Sequence, residues 1–177
     1  LIDLALMSEE LALDASELDL DQLDEVRASM LRSRHAEAEL DERVDFVKTH
    51  AANRRLPSGR RLVDATAGRA LVLVRHPFDV AASYADFLEA DDTDIVDAFV
   101  SPTARIDRIQ ERRPSRLPEY LASWALHVQS WVVDAVLPTL VVRYEDLLES
   151  PENQTQKLAD FLKIEWSDAM LSHHKNS

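Results

Sequence analysis

The sequence predicts an α/β fold, a parallel sheet flanked by helices. Ala70-Leu71-Val72-Leu73-Val74 is a continuous apolar run, as a strand buried on both faces requires. Pro77 follows where a helix can begin. Thr139 to Tyr144 is a second strand-like run, and an amphipathic segment from Pro151 to Leu162 comes after it. Strands alternating with helices imply parallel pairing with right-handed crossovers.

Taken in order, residues 1–43 read as a helical lead-in. Leu18, Leu20, Leu23, Val26, Met30 and Leu31 form an apolar stripe near helical spacing, and Ser8, Asp14 and Ser16 are candidate N-caps. Arg27, Arg32 and Arg34 suit the end of such a helix, and the acidic run Asp14 to Glu25 reads as a solvated face. Val44 to Thr49 is a short β-rich run, and Leu56 to Gly59 is a loop. A helix follows from Pro77 to about Ala90, and a second covers Thr93 to Val100. Residues 101–118 hold three Pro and five Arg and read as an irregular basic loop. Leu117 to Ala135 is expected to be a long helix with Tyr120, Trp124, Val128 and Trp131 on one face. Residues 44–164 make up the core of the fold, and 165–177 are a tail.

Composition narrows the function. Lys and Arg number 20 against 33 Asp and Glu, a formal charge of −13. A nucleic-acid binder needs a basic face to release counterions, and an anionic membrane surface attracts the same sign. Neither partner fits. With no Cys, disulfides, thiolate nucleophiles and zinc–thiolate sites are excluded. No apolar run approaches the roughly 20 residues of a bilayer span. No cluster of His, Asp and Glu has metal-ligand spacing, so no metal is expected. The chain opens on Leu1 rather than Met, which reads as a piece of a longer protein.

Three polar clusters each sit at the C-terminal end of an expected strand: Lys48-Thr49-His50, Arg75-His76-Pro77 with Ser83 in the helix beyond, and Tyr144-Glu145-Asp146. Ligands of open parallel sheets bind outside that edge. Arg75 presents a permanently charged fork beside a helix N-terminus, which suits a phosphate. The same Arg could instead pair with Asp79 or Glu145. His50 could accept a proton near neutrality beside the cation Lys48, or be an ordinary loop His. Tyr144 could stack on a ring, or be a core Tyr ahead of a capped helix. Trp124, His127 and Trp131 at helical spacing read as a packing face, and His173-His174 as tail.

The segment Val74-Arg75-His76-Pro77-Phe78-Asp79-Val80-Ala81-Ala82-Ser83-Tyr84 resembles the 3′-phosphate-binding segment of the sulfotransferases. Lys48-Thr49-His50 is similar to that family's Lys-Thr-His strand end. Arg143-Tyr144-Glu145-Asp146-Leu147 resembles its Tyr-Glu-Asp-Leu segment, and Ser123-Trp124 with His127-Val128 and Trp131 matches just upstream. The resemblance runs in family order over residues 44–164, 121 of 177.

This resemblance implies a P-loop-NTPase-like sheet whose first strand and Gly-rich loop are absent here: none of the four Lys follows either Gly59 or Gly68. It implies 3′-phosphoadenosine 5′-phosphosulfate (PAPS) as donor, adenosine 3′,5′-bisphosphate as product, and a small-molecule hydroxyl (or amine) acceptor. Arg75 and Ser83 would hold the 3′-phosphate, Tyr144 would lie near the adenine, His50 would be the general base and Lys48 would neutralise developing charge. The Lys-Thr-His element points to the cytoplasmic type. With half of the donor site missing, the chain alone is expected to be inactive. The rivals are a P-loop phosphotransferase fragment and a non-catalytic interaction relic.

Overall fold

The computed structural model describes residues 2–3, 19–41, 45–88, 91–106 and 118–172. The long lead-in helix is α1, Leu20–Leu40. Asp19 starts it with a capping box: its carboxylate accepts the Gln22 N–H at 2.8 Å, and the Gln22 side chain accepts the Asp19 N–H at 2.9 Å. The caps expected at Ser8, Asp14 and Ser16 lie outside the described residues, as do His173 and His174. Because α1 continues to Leu40, Arg27, Arg32 and Arg34 stand in its middle and not at its end.

The acidic face is not all solvated. Asp24 is 0% exposed and receives Arg27 Nη1 at 2.8 Å and Arg54 Nη2 at 2.9 Å. The buried cluster ties α1 to the segment that follows His50. Ala28 of α1 packs into one apolar core with Ala51, Leu56, Leu62, Val63, Ala70, Trp131 and Leu137.

Two parallel strand pairs form among the described residues, not the single sheet that the sequence predicts. β1 (Ile2–Asp3) pairs with β2 (Val47–Lys48), so the Lys-Thr-His run ends a strand but contributes only two residues to it. β3 (Ala70–Val74) pairs with β6 (Thr139–Arg143) in a register that sets Val74 beside Arg143. The two strand ends that carry Arg75 and Tyr144 are thereby adjacent. The strand is not buried on both faces as its apolar run predicts: among the described residues nothing covers Leu71 and Leu73 fully, and they are 43% and 60% exposed.

Pro77 opens α2, Pro77–Leu88, and Asp91 caps α3, Asp92–Val100, through the Thr93 N–H at 2.8 Å. The long helix expected over Leu117–Ala135 is a correction. Glu119–Tyr120 is β5, antiparallel to β4 (Arg105–Ile106). Ala122 follows at φ 60, a left-handed conformation that no right-handed helix can contain. Only then does Ser123 cap α4, Trp124–Val132. Trp131 of α4 enters the core, and the helix packs across β3 and β6. Tyr144 begins α5, Tyr144–Glu149, instead of ending the strand. α6 (Pro151–Leu162) and the short α7 (Ala169–Ser172) close the chain, with α6 packed on β6.

Candidate active site

At the paired ends of β3 and β6, the Arg75 guanidinium carbon lies 4.8 Å from the centroid of the Tyr144 ring. Such stacking orients a planar cation while leaving its edges available. Arg75 Nε is buried and lies 3.9 Å from Asp79 Oδ2, beyond hydrogen-bond length. An ion pair this long between half-exposed groups is weak. The pairing of Arg75 with Asp79 that the sequence left open is thus present, but it does not saturate the fork.

The other carboxylate is committed elsewhere. Glu145 Oε1 accepts the His76 N–H at 2.8 Å, and this bond, helped by Arg143, holds the carboxyl below its ordinary range. Glu145 thus ties the Tyr-Glu-Asp segment to the turn between β3 and α2. Ser83 is exposed and stands one turn beyond Asp79 on the same face of α2. Since Asp79 reaches Arg75, that face is the one turned toward the strand ends.

The second cluster surrounds His50. Lys48, exposed, is the last residue of β2, and His50 is half-buried in the turn beyond. Glu119 Oε1 receives the His50 N–H at 3.3 Å and the Thr49 hydroxyl at 3.4 Å. The Ala51 N–H donates to the Thr49 hydroxyl at 3.0 Å, and Trp131 Nε1 donates to the Ala51 carbonyl at 3.0 Å. The Ala52 N–H donates to the Tyr120 carbonyl at 2.8 Å, and the Asn53 N–H to Ser130 Oγ at 3.0 Å. The backbone around the imidazole is thus held by β5 on one side and α4 on the other.

His127 belongs to this cluster. Its Nδ1 lies 3.0 Å from the Leu121 carbonyl, which can only accept, so the proton sits on Nδ1. Burial pushes the imidazole below its ordinary value of 6.5; the bond to Leu121 opposes this, the charge of His50 adds to it, and Glu119 opposes it weakly.

The five residues expected to converge therefore fall into two groups. Arg75 and Tyr144 are in contact, with Ser83 on the adjoining helix face. Lys48 ends β2 in a different strand pair, and His50 lies in the turn beyond it. Helix α4 is the shared support, since it packs on β3 and β6 while its Trp131 and Ser130 bond the segment after His50. Glu119 and its link to Thr49 were missed, because the sequence places Glu119 near the start of a helix. Pro118 before it and Ser123 after it were the available signals for a break.

The family model of the sulfotransferase domain matches residues 6–177. The chain belongs to the sulfotransferase family. It is 32% identical over 108 residues to Sulfotransferase 1B1 of Canis lupus familiaris, which covers 59% of this chain and 34% of that protein. The chain thus spans about a third of the length of that relative. Family membership leaves the phosphotransferase reading without support. In this sulfotransferase chain, Arg75 Nε is buried beside the start of α2 and has no hydrogen-bond partner among the described residues, so the cation there has bonding capacity left for an anionic group. No described helix is long and apolar enough to cross a membrane.

Proposed function

We propose that this chain carries the 3′-phosphate-binding and proton-accepting parts of an enzyme that transfers a sulfuryl group from PAPS to the hydroxyl, or amine, of a small molecule. The observation that supports it most is the stacked Arg75–Tyr144 pair at the ends of two adjacent parallel strands. In this reading Arg75 and Ser83 hold the 3′-phosphate through charge-assisted hydrogen bonds. Tyr144 fixes the guanidinium from beneath and borders the adenine. The wider architecture is the P-loop-NTPase-like sheet that the motif order resembles. A cytoplasmic location belongs to the same proposal, supported by the Lys-Thr-His element.

His50 takes the proton of the acceptor O–H as the oxygen attacks sulfur. The bond from sulfur to the donor's phosphate oxygen breaks, and its electron pair leaves with adenosine 3′,5′-bisphosphate. Lys48 neutralises charge that builds on the departing side. Positioning and preorganised charge supply the rate enhancement, as in phosphoryl transfer. None of the four Lys follows a Gly, so a 5′-phosphosulfate loop is not supplied by these residues and the isolated chain should not turn over.

The test is transfer of labelled sulfate from PAPS to a panel of phenols, alcohols and amines by the full-length protein. His50→Ala is expected to lower turnover by about a hundredfold or more, the usual contribution of a positioned base. Turnover equal to wild type would remove His50 from this role. Full-length protein that neither transfers sulfate nor binds the bisphosphate would favour the non-catalytic reading instead.

A further inference from the structure

Glu119 is 1% exposed, and no side chain so placed is used by the mechanism above. A buried carboxyl is costly unless its oxygens are satisfied. Oε1 is satisfied, by the His50 N–H and the Thr49 hydroxyl. Oε2 is buried and has no hydrogen-bond partner among the described residues. Ordinary structural clamping needs only the first oxygen. The second lies buried beside the turn that carries the proposed base.

We propose that Glu119 is a positioning residue for His50: it fixes the Thr49–His50 strand end and supplies the negative charge that offsets the imidazolium formed when His50 takes the acceptor proton. The inference rests on the base role proposed for His50 and extends it to a residue on a different element. Glu119 meets the His50 main chain and not its ring, so unlike the carboxylate of a catalytic triad it acts through the placement of the turn and through its charge. Among the described residues, the titratable groups near His50 include Lys48 beside it, Glu119 from β5 and His127 from α4.

The experiment compares wild type, Glu119→Gln and His50→Ala in the full-length protein, reading kcat, KM for PAPS and the pH profile of kcat/KM. Glu119→Gln keeps the shape and an acceptor oxygen but removes the charge. It is expected to lower kcat about tenfold, part of what a base contributes, with KM for PAPS within about twofold. The acid limb of the profile should move down by about one pH unit, because a nearby anion favours the protonated ring and its loss lowers the midpoint. A purely structural Glu119 would leave that limb in place, which overturns the proposal. If His50→Ala abolishes turnover while Glu119→Gln changes neither kcat nor the limb, the base reading stands and the inference about Glu119 fails. If His50→Ala retains turnover, both fail. A second measurement does not depend on the variant folding: carbon NMR of the Glu119 carboxyl in wild type should show a step at the His50 midpoint. A flat response through that midpoint overturns the inference.

Discussion

Asp24 is a fully buried carboxylate whose charge is balanced within the fold. It meets two guanidinium groups, from Arg27 and Arg54, at full burial. Removing one partner of a buried pair leaves the other charge uncompensated, so Asp24→Ala should cost about 3–5 kcal/mol, read by urea unfolding. A cost below about 1 kcal/mol would mean that water reaches the cluster. His127 gives a pH dependence with a definite sign. Its folded value lies below 6.5, so the folded state holds fewer protons than the unfolded one as the pH falls through that region. Stability from keeping it neutral is present above 6.5 and is lost on acidification below it. Melting temperature should fall between about pH 7.5 and pH 5.5, and His127→Gln should flatten that slope. Single residues with a fixed chemical signature were legible in the sequence: Arg75 after an apolar strand and Tyr144 ahead of acids do meet. Glu119 was not legible, because its partners lie about seventy residues away and nothing local marks a carboxyl for burial.

At the scale of elements, strong local signals carried the reading and competing ones misled it. Pro77 and the apolar run before it placed β3 and α2 close to their observed limits, and the short helix expected over Thr93–Val100 is α3, whose cap Asp91 the structure adds. The aromatic stripe Tyr120, Trp124, Val128, Trp131 has helical spacing, yet Tyr120 is in a strand. Its hydroxyl donates to the Pro102 carbonyl and its backbone pairs with Arg105, so pairing with β4 overrode the periodicity. Ser123 marks the true start of α4, its hydroxyl accepting the Leu126 N–H at 3.3 Å. Ser123→Ala should cost about 1 kcal/mol in thermal or urea unfolding, and Ser123→Asp should retain most of the stability. Equal stability of all three forms would show that the cap contributes nothing.

Across the whole molecule, the sequence made the α/β class and the parallel sense of β3 and β6 readable, because an apolar run followed by a helix recurs twice. It did not reveal which strands pair, since strand order depends on contacts far apart in the chain. Burial is uneven in consequence. Val142 is 2% exposed, whereas Leu73, its neighbour in register, is 60% exposed. Val142→Ala should therefore cost about 1–3 kcal/mol, while Leu73→Gln should stay within about 0.5 kcal/mol, both by urea unfolding of this chain. The shared role of α4, supporting β3 and β6 and bonding the segment after His50, makes one helix a common support for the Arg75–Tyr144 pair and the His50 segment, the groups proposed to bind phosphate and accept the proton.

The most direct measurement is thermal unfolding of the full-length protein with and without adenosine 3′,5′-bisphosphate, for wild type and Arg75→Ala. A ligand that binds only the folded state raises apparent stability by mass action, about 2.7 kcal/mol at a hundredfold excess over Kd. Wild type should show that rise, and Arg75→Ala, equally folded without ligand, should lose most of it. An equal rise in both forms, or none in wild type, would contradict a 3′-phosphate site at the ends of β3 and β6.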